Sequence, residues 1–193
     1  MQRKITLSAL LAALFLTLIP AQAEVTWDQV TKKIKSAKDY QVKYKYDGPS
    51  GKFDFDYRWS PEKIRTEITD SKSEPSRRGT VIVYDKSWAA DKVRAKTGGG
   101  SIVRNLTHKD VVGRPFHQSL FGMILDETAK LGKPTATASG KDTKFTFKSA
   151  AGGYTVWANA DGEIIRTETT KDRVKEVRQL SGLKWNSSPS FGF

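Results

Sequence analysis

Between Tyr40 and Trp59 the chain alternates strictly. Tyr40, Val42, Tyr44 and Tyr46 are interleaved with Gln41, Lys43 and Lys45, and then Phe53, Phe55, Tyr57 and Trp59 with Asp54, Asp56 and Arg58. Side chains on an extended strand point to opposite faces with period 2, so the pattern fits two half-buried strands and no helix. The intervening Asp47-Gly48-Pro49-Ser50-Gly51 is built of turn formers, which makes the pair an antiparallel hairpin with one aromatic and one charged face. Lys43 and Lys45 are then expected to pair with Asp54 and Asp56 across the charged face, each pair contributing about 0.2–1 kcal/mol. An aromatic face this large must be covered, and the rest of the chain is read by asking what covers it.

Further strands are predicted at Lys63–Thr69, Thr80–Tyr84, Ser87–Ala95, Ser101–Arg104, Thr143–Lys148, Tyr154–Asn159, Glu163–Thr169 and Arg173–Leu180. Turn residues separate nearly all of them. Asp161-Gly162 is the strongest hairpin signal, because that dipeptide readily adopts the positive φ angles of a type I′ turn. About ten short-spaced strands predict a mainly β fold with a curved antiparallel sheet or incomplete barrel.

Two helices complete the set. Trp27, Val30, Ile34 and Ala37 recur at helical spacing, and Thr26-Trp27-Asp28-Gln29 fits a capping box in which the Thr hydroxyl and the Gln amide satisfy exposed backbone N–H groups. The second helix is predicted to begin near Pro115 and end at Gly132, with Phe116, Leu120, Phe121, Ile124 and Leu125 forming one apolar stripe. An amphipathic helix inside a sheet protein must lay that stripe on the sheet or across a barrel mouth.

The N-terminus has a different composition. Ile5–Ile19 carries no charge, follows Arg3 and Lys4, and precedes Pro20 and Ala21-Gln22-Ala23. This matches a secretory signal cleaved near Ala23, and the run is shorter than the about 20 residues that cross a bilayer as a helix. Residues 24–193 then form one exported domain. The chain has no cysteine, which excludes an acylated lipoprotein terminus, a disulfide framework and thiol chemistry. The net charge of +12 suits anionic lipid headgroups or an acidic partner. Export argues against nucleic acid, and the densest basic groups, Arg77-Arg78 and Lys171–Arg178, are read as solvated faces.

The order of signal, helix, long antiparallel strands, internal helix and more strands resembles the outer-membrane lipoprotein carrier (LolA-like) superfamily. The residues that carry the resemblance are Phe55-Asp56-Tyr57-Arg58-Trp59-Ser60-Pro61-Glu62-Lys63-Ile64-Arg65, and Val81-Ile82-Val83-Tyr84-Asp85-Lys86-Ser87-Trp88 with Val93-Arg94. The resemblance implies an incomplete barrel closed by helices over an apolar cavity, in a periplasmic, monomeric carrier of lipid or lipoprotein acyl chains. An inner-membrane donor and an outer-membrane receiver would be its partners. Tyr44, Phe55 and Tyr57 on the sheet, with Phe116, Leu120, Phe121, Ile124 and Leu125 on the helix, would then line the cavity and its lid. Where the family holds its lid with a first-strand arginine, Tyr40–Tyr46 offers Lys43 and Lys45. The competing reading is a sensor or interaction module of the same fold, which binds a partner protein and moves no cargo.

Other chemistry finds little support. His108, Asp110 and His117 have no further ligand at metal-binding spacing. Gly98-Gly99-Gly100 belongs to no phosphate-binding loop, and no nucleophile elbow is present. Asp126 and Glu127 diverge on their helix, so they form no acid–base couple. The expectation is a non-enzyme with no cofactor and no metal. A transmembrane barrel ending in Phe193 is disfavoured by the long internal helix.

Overall fold

The computed structural model describes residues 25–88, 92–100, 102–107, 116–149 and 152–193. The predicted export signal, the His108 and Asp110 pair and Pro115 lie outside them. The described residues form helix α1 (Trp27–Ser36), strands β1 (Tyr40–Gly48), β2 (Gly51–Trp59), β3 (Lys63–Ser71), β4 (Val81–Asp85), β5 (Val93–Lys96) and β6 (Val103–Leu106), helix α2 (Leu120–Ala129), and strands β7 (Thr135–Ser139), β8 (Asp142–Ser149), β9 (Gly152–Ala158), β10 (Ile164–Lys171) and β11 (Val174–Trp185). A short 3₁₀ turn at Pro75–Arg77 sits between β3 and β4.

All the strands join one antiparallel sheet in the order β6-β5-β4-β3-β2-β1-β11-β10-β9-β8-β7. Two meanders, β1–β6 and β7–β11, meet where β1 pairs with β11, and the sheet stays open between β6 and β7. That order determines where α2 must go. The chain leaves one edge of the sheet at β6 and re-enters at the far edge with β7, so the connection that holds α2 has to cross a face. The inner face is where the period-2 aromatics point, and crossing there buries the apolar stripe of the helix.

The inner face is the core. Val42, Tyr44, Phe55, Tyr57, Phe145, Phe147, Val156 and Ala158 are buried with Leu120, Phe121 and Ile124 of α2 and Val30 of α1. The hairpin register pairs Tyr44 with Phe55 and Val42 with Tyr57 on this face, and Lys43 with Asp56 and Lys45 with Asp54 on the other. Lys45 reaches Asp54 at 3.5 Å. The second expected pairing is displaced, because Asp56 instead receives Arg58 and Gln41. The capping box of α1 is present: Thr26 Oγ1 accepts from the Gln29 amide, and Gln29 Oε1 accepts from the Thr26 N–H.

Several boundaries differ from expectation. Helix α2 begins at Leu120, capped by the Ser119 hydroxyl, and ends at Ala129, so Phe116 precedes the helix and Leu131 follows it. Ser119 was hidden within a stripe that read as continuous. Of the predicted Ser87–Ala95 strand, residues 89–91 lie outside the described residues and Val93–Ala95 fall in β5, whereas Ser87 belongs to a turn on the Asp85 carboxylate, which accepts from Ser87 N and Oγ. Strand β7 was not expected at all, since Thr-Ala-Thr-Ala-Ser has no large apolar side chain to bury and all but Ser139 are exposed. Asp161-Gly162 does not form a type I′ turn: only Gly162 has positive φ, and the Asn159 carboxamide oxygen accepts from Asp161 N and Glu163 N to shape a longer loop. The two-residue turn with paired positive φ occurs instead at Asp172-Arg173.

Candidate functional site: the apolar helix on the aromatic face

Seven of the eight side chains predicted to line a cavity are buried or nearly so around α2, and Leu125 is half-buried on its flank. Those seven belong to one packed core. Tyr44 stacks on Phe55 with ring centroids 4.6 Å apart, and Phe121 lies 4.7 Å from Tyr40 and 5.3 Å from Trp185. Such pairs add about 0.5–1.5 kcal/mol beyond their area burial. Two grooves on the described surface lie elsewhere. One, of about 370 Å³, is bounded by Val25, Trp27, Pro134, Ala136 and Phe145; the other, of about 580 Å³, runs over the outer face past Lys45, Asp54 and Arg166. None of the eight residues lines either groove.

The first turn of α2 is held by phenols. Tyr57 donates to the Gln118 carbonyl at 2.8 Å and accepts from Leu120 N at 3.1 Å. Tyr40 lies 3.0 Å from Ser119 Oγ and accepts from Phe121 N at 3.3 Å. A helix start leaves four backbone N–H groups without intrahelical partners. Here Ser119 takes Gly122 N, and the sheet supplies oxygens for Leu120 N and Phe121 N. Burial pushes Tyr40 up to about 12 and Tyr57 well above the usual phenol value, so both rings stay protonated and can donate and accept at once. Trp185 backs this end: its indole N–H donates to Glu163, which also receives Lys33 of α1 and Asn159. Burial pushes Glu163 up, but those hydrogen bonds outweigh it and hold the carboxyl below its ordinary value.

The other end of α2 meets charge. Arg178 of β11, opposite Tyr46 of β1, is buried on the inner face. It forms an ion pair with Glu176, and its Nη1 donates to the Tyr154 hydroxyl at 3.4 Å. Tyr46 donates to Glu176 at 3.1 Å. Glu127 of α2 faces the same cluster. Burial, with Glu176 adding to it, holds the Glu127 carboxyl above its ordinary value against the attraction of Arg178. The cation beneath the helix therefore comes from the last strand and not the first. Sequence reading missed it because Arg178 closes the basic run Lys171–Arg178, where nothing local separates an inward from an outward cation. Tyr40 and Ser119 were missed as well. Tyr40 was visible only as one more inner-face aromatic, and a phenol's partner is set by the helix that lands on it.

No protein-family model matches this sequence, and no curated protein sequence matches it. Solved structures do. The Mycobacterium tuberculosis lipoprotein LppX is 14% identical with a TM-score of 0.54, over 86% of this chain and 95% of its own. LprF from Mycobacterium bovis is 13% identical with a TM-score of 0.51, over 86% of this chain and 93% of its own. At such identity the likeness speaks for the fold alone. The chain shares the fold of these two mycobacterial lipoproteins, and its own open antiparallel sheet is the incomplete barrel expected from the sequence.

Proposed function

We propose that this protein is an exported, non-enzymatic carrier in the cell envelope that shelters the apolar chain of a lipid, or the acyl chains of a lipoprotein, between its aromatic sheet face and α2. The observation that carries the reading is how α2 is seated. It buries Leu120, Phe121, Met123 and Ile124, yet it is fixed at both ends through hydrogen bonds and charges of the sheet. Hydrogen bonds exchanged for water bonds cost little net, about 0.5–1.5 kcal/mol each. An apolar chain that replaced the stripe of α2 on the rings would recover about 0.8 kcal/mol per buried CH₂. The helix can thus lift as a unit and leave an apolar hollow lined by Tyr44, Phe55 and Tyr57. A donor and a receiver membrane system would supply and accept the cargo.

Native mass spectrometry of the protein purified from membranes should reveal a co-purifying lipid or lipidated peptide. Protein that carries no such mass, and fails to take up a fluorescent fatty acid, would end the carrier reading. The membership of seven of the eight predicted residues in one packed core favours a second reading, an interaction module whose interior only supports the fold. The same experiment separates the two.

A further inference from the structure

The registers place the β1–β2, β8–β9 and β10–β11 connections and the β3–β4 and β5–β6 loops at one end of the barrel: Gly48 pairs with Gly51, Lys171 with both Gly152 and Val174, and Phe53 with Ser71. The β5–β6 turn joins them, because Gly98 lies directly against the Arg78 backbone. Two features coincide at this end. Among the described residues four large hydrophobic side chains are exposed, and three of them are here: Val174 at 50%, Ile102 at 67% and Val103 at 44%. Val174 sits at the tip of a hairpin whose turn, Asp172-Arg173, has positive φ at both residues without a glycine.

The second feature is charge. Lys72, Arg78, Lys148, Lys171 and Arg173 are all exposed at these tips, and none forms an ion pair among the described residues. The neighbouring Lys52 and Arg77 are neutralised by Asp47 and Glu74. The carboxylates set against the five free cations are Asp70 and Asp172. Exposed cations at the same end as exposed aliphatic side chains match an anionic bilayer surface, where headgroup charge meets the Lys and Arg side chains and the acyl boundary takes the apolar tips.

We infer that the hairpin-tip end of the barrel docks on anionic phospholipid membranes, with Val174 entering the headgroup boundary and Lys171, Arg173, Lys148, Arg78 and Lys72 holding the headgroups. This surface is separate from the helix-covered interior, and the inference stands whether or not that interior carries cargo.

The absence of cysteine makes the test direct. A Val174→Cys variant labelled with the polarity-sensitive dye NBD should shift its emission to the blue with vesicles containing phosphatidylglycerol, and not with pure phosphatidylcholine. The same label at Lys35→Cys, on α1, should not respond. Replacing Lys171 and Arg173 by Glu should weaken vesicle binding by about tenfold or more, whereas replacing Lys32 and Lys35 by Glu on α1 should weaken it far less. Binding should also fall as salt rises. No blue shift at position 174, equal loss from the two charge reversals, or a dye that ignores vesicles while dextran sulfate still binds the same face would overturn the inference. The last result would identify a general anion patch. None of these outcomes depends on a lipid inside the barrel, which native mass spectrometry reads separately.

Discussion

The two ends of α2 are anchored by different chemistry. At its first turn, neutral phenols and a serine hydroxyl meet backbone groups, with Phe121 clamped between Tyr40 and Trp185. At its last turn, Glu127 faces Arg178, Glu176 and Tyr154. A neutral anchor in an apolar setting does not respond to pH until its phenols ionise, whereas a charged one responds to any change in its proton count. The difference teaches which end of the helix can be released first. The charged end carries the only carboxylate on α2 held above its ordinary value among the described residues, so it yields to pH and salt while the phenol end holds.

The largest effect expected from breaking this contrast is at the neutral end. Phe121→Ala removes a fully buried ring and should cost about 3–5 kcal/mol in urea unfolding. A smaller loss would mean that the helix is seated mainly by its polar contacts. Arg178→Ala leaves Glu176 and Glu127 facing each other without their cation and should cost about 3 kcal/mol or more. A second change, Glu127→Gln, should then return part of that loss. If it returns none, the two groups are not coupled.

Tyr57→Phe leaves the Leu120 N–H and the Gln118 carbonyl short of one partner and should cost about 1–3 kcal/mol. Its cost should be the same at pH 5 and pH 8, because the Tyr57 pKa lies well above that range. A pH-dependent cost would show that the neutral end is not neutral.

The smallest effect is the most specific. A carboxyl whose folded pKa is raised stabilises the fold fully below its unfolded pKa and loses that contribution as pH rises through the folded value. Glu127, with its pKa raised above 4.5, therefore favours the fold in acid. The difference in melting temperature between Glu127→Gln and the parent should move in favour of the variant between pH 4 and pH 7. A difference that is flat with pH would remove Glu127 from the charged anchor.

The contrast between the ends was only half legible in the sequence. The apolar stripe of α2 and the inner-face aromatics could be read from period alone, because burial imposes the same alternation wherever a strand lies. The anchors could not. The helix starts after Ser119 and not near Pro115, because Tyr40 and Tyr57 offer oxygens there to its free N–H groups, and that offer exists only after β1 and β2 have paired. Arg178 is an inward cation because β11 closes against β1, with Arg178 opposite Tyr46. A local reading of Lys171–Arg178 cannot see a partner strand more than a hundred residues away. Strand β7 was illegible for the opposite reason: its small exposed residues bury nothing, and it is a strand only because β8 lends it a ladder.

The sequence by itself determined that the chain would build a large antiparallel sheet with one aromatic face, and that an apolar helix would have to cover it. Both follow from periodicity and the need to bury apolar area, which act locally. Which edge α2 leaves and re-enters, which oxygens receive its first turn and which cation waits beneath its last were decided by the joining of β1 to β11. That pairing is non-local, and only the closed register brings Tyr40, Tyr57 and Arg178 under one helix.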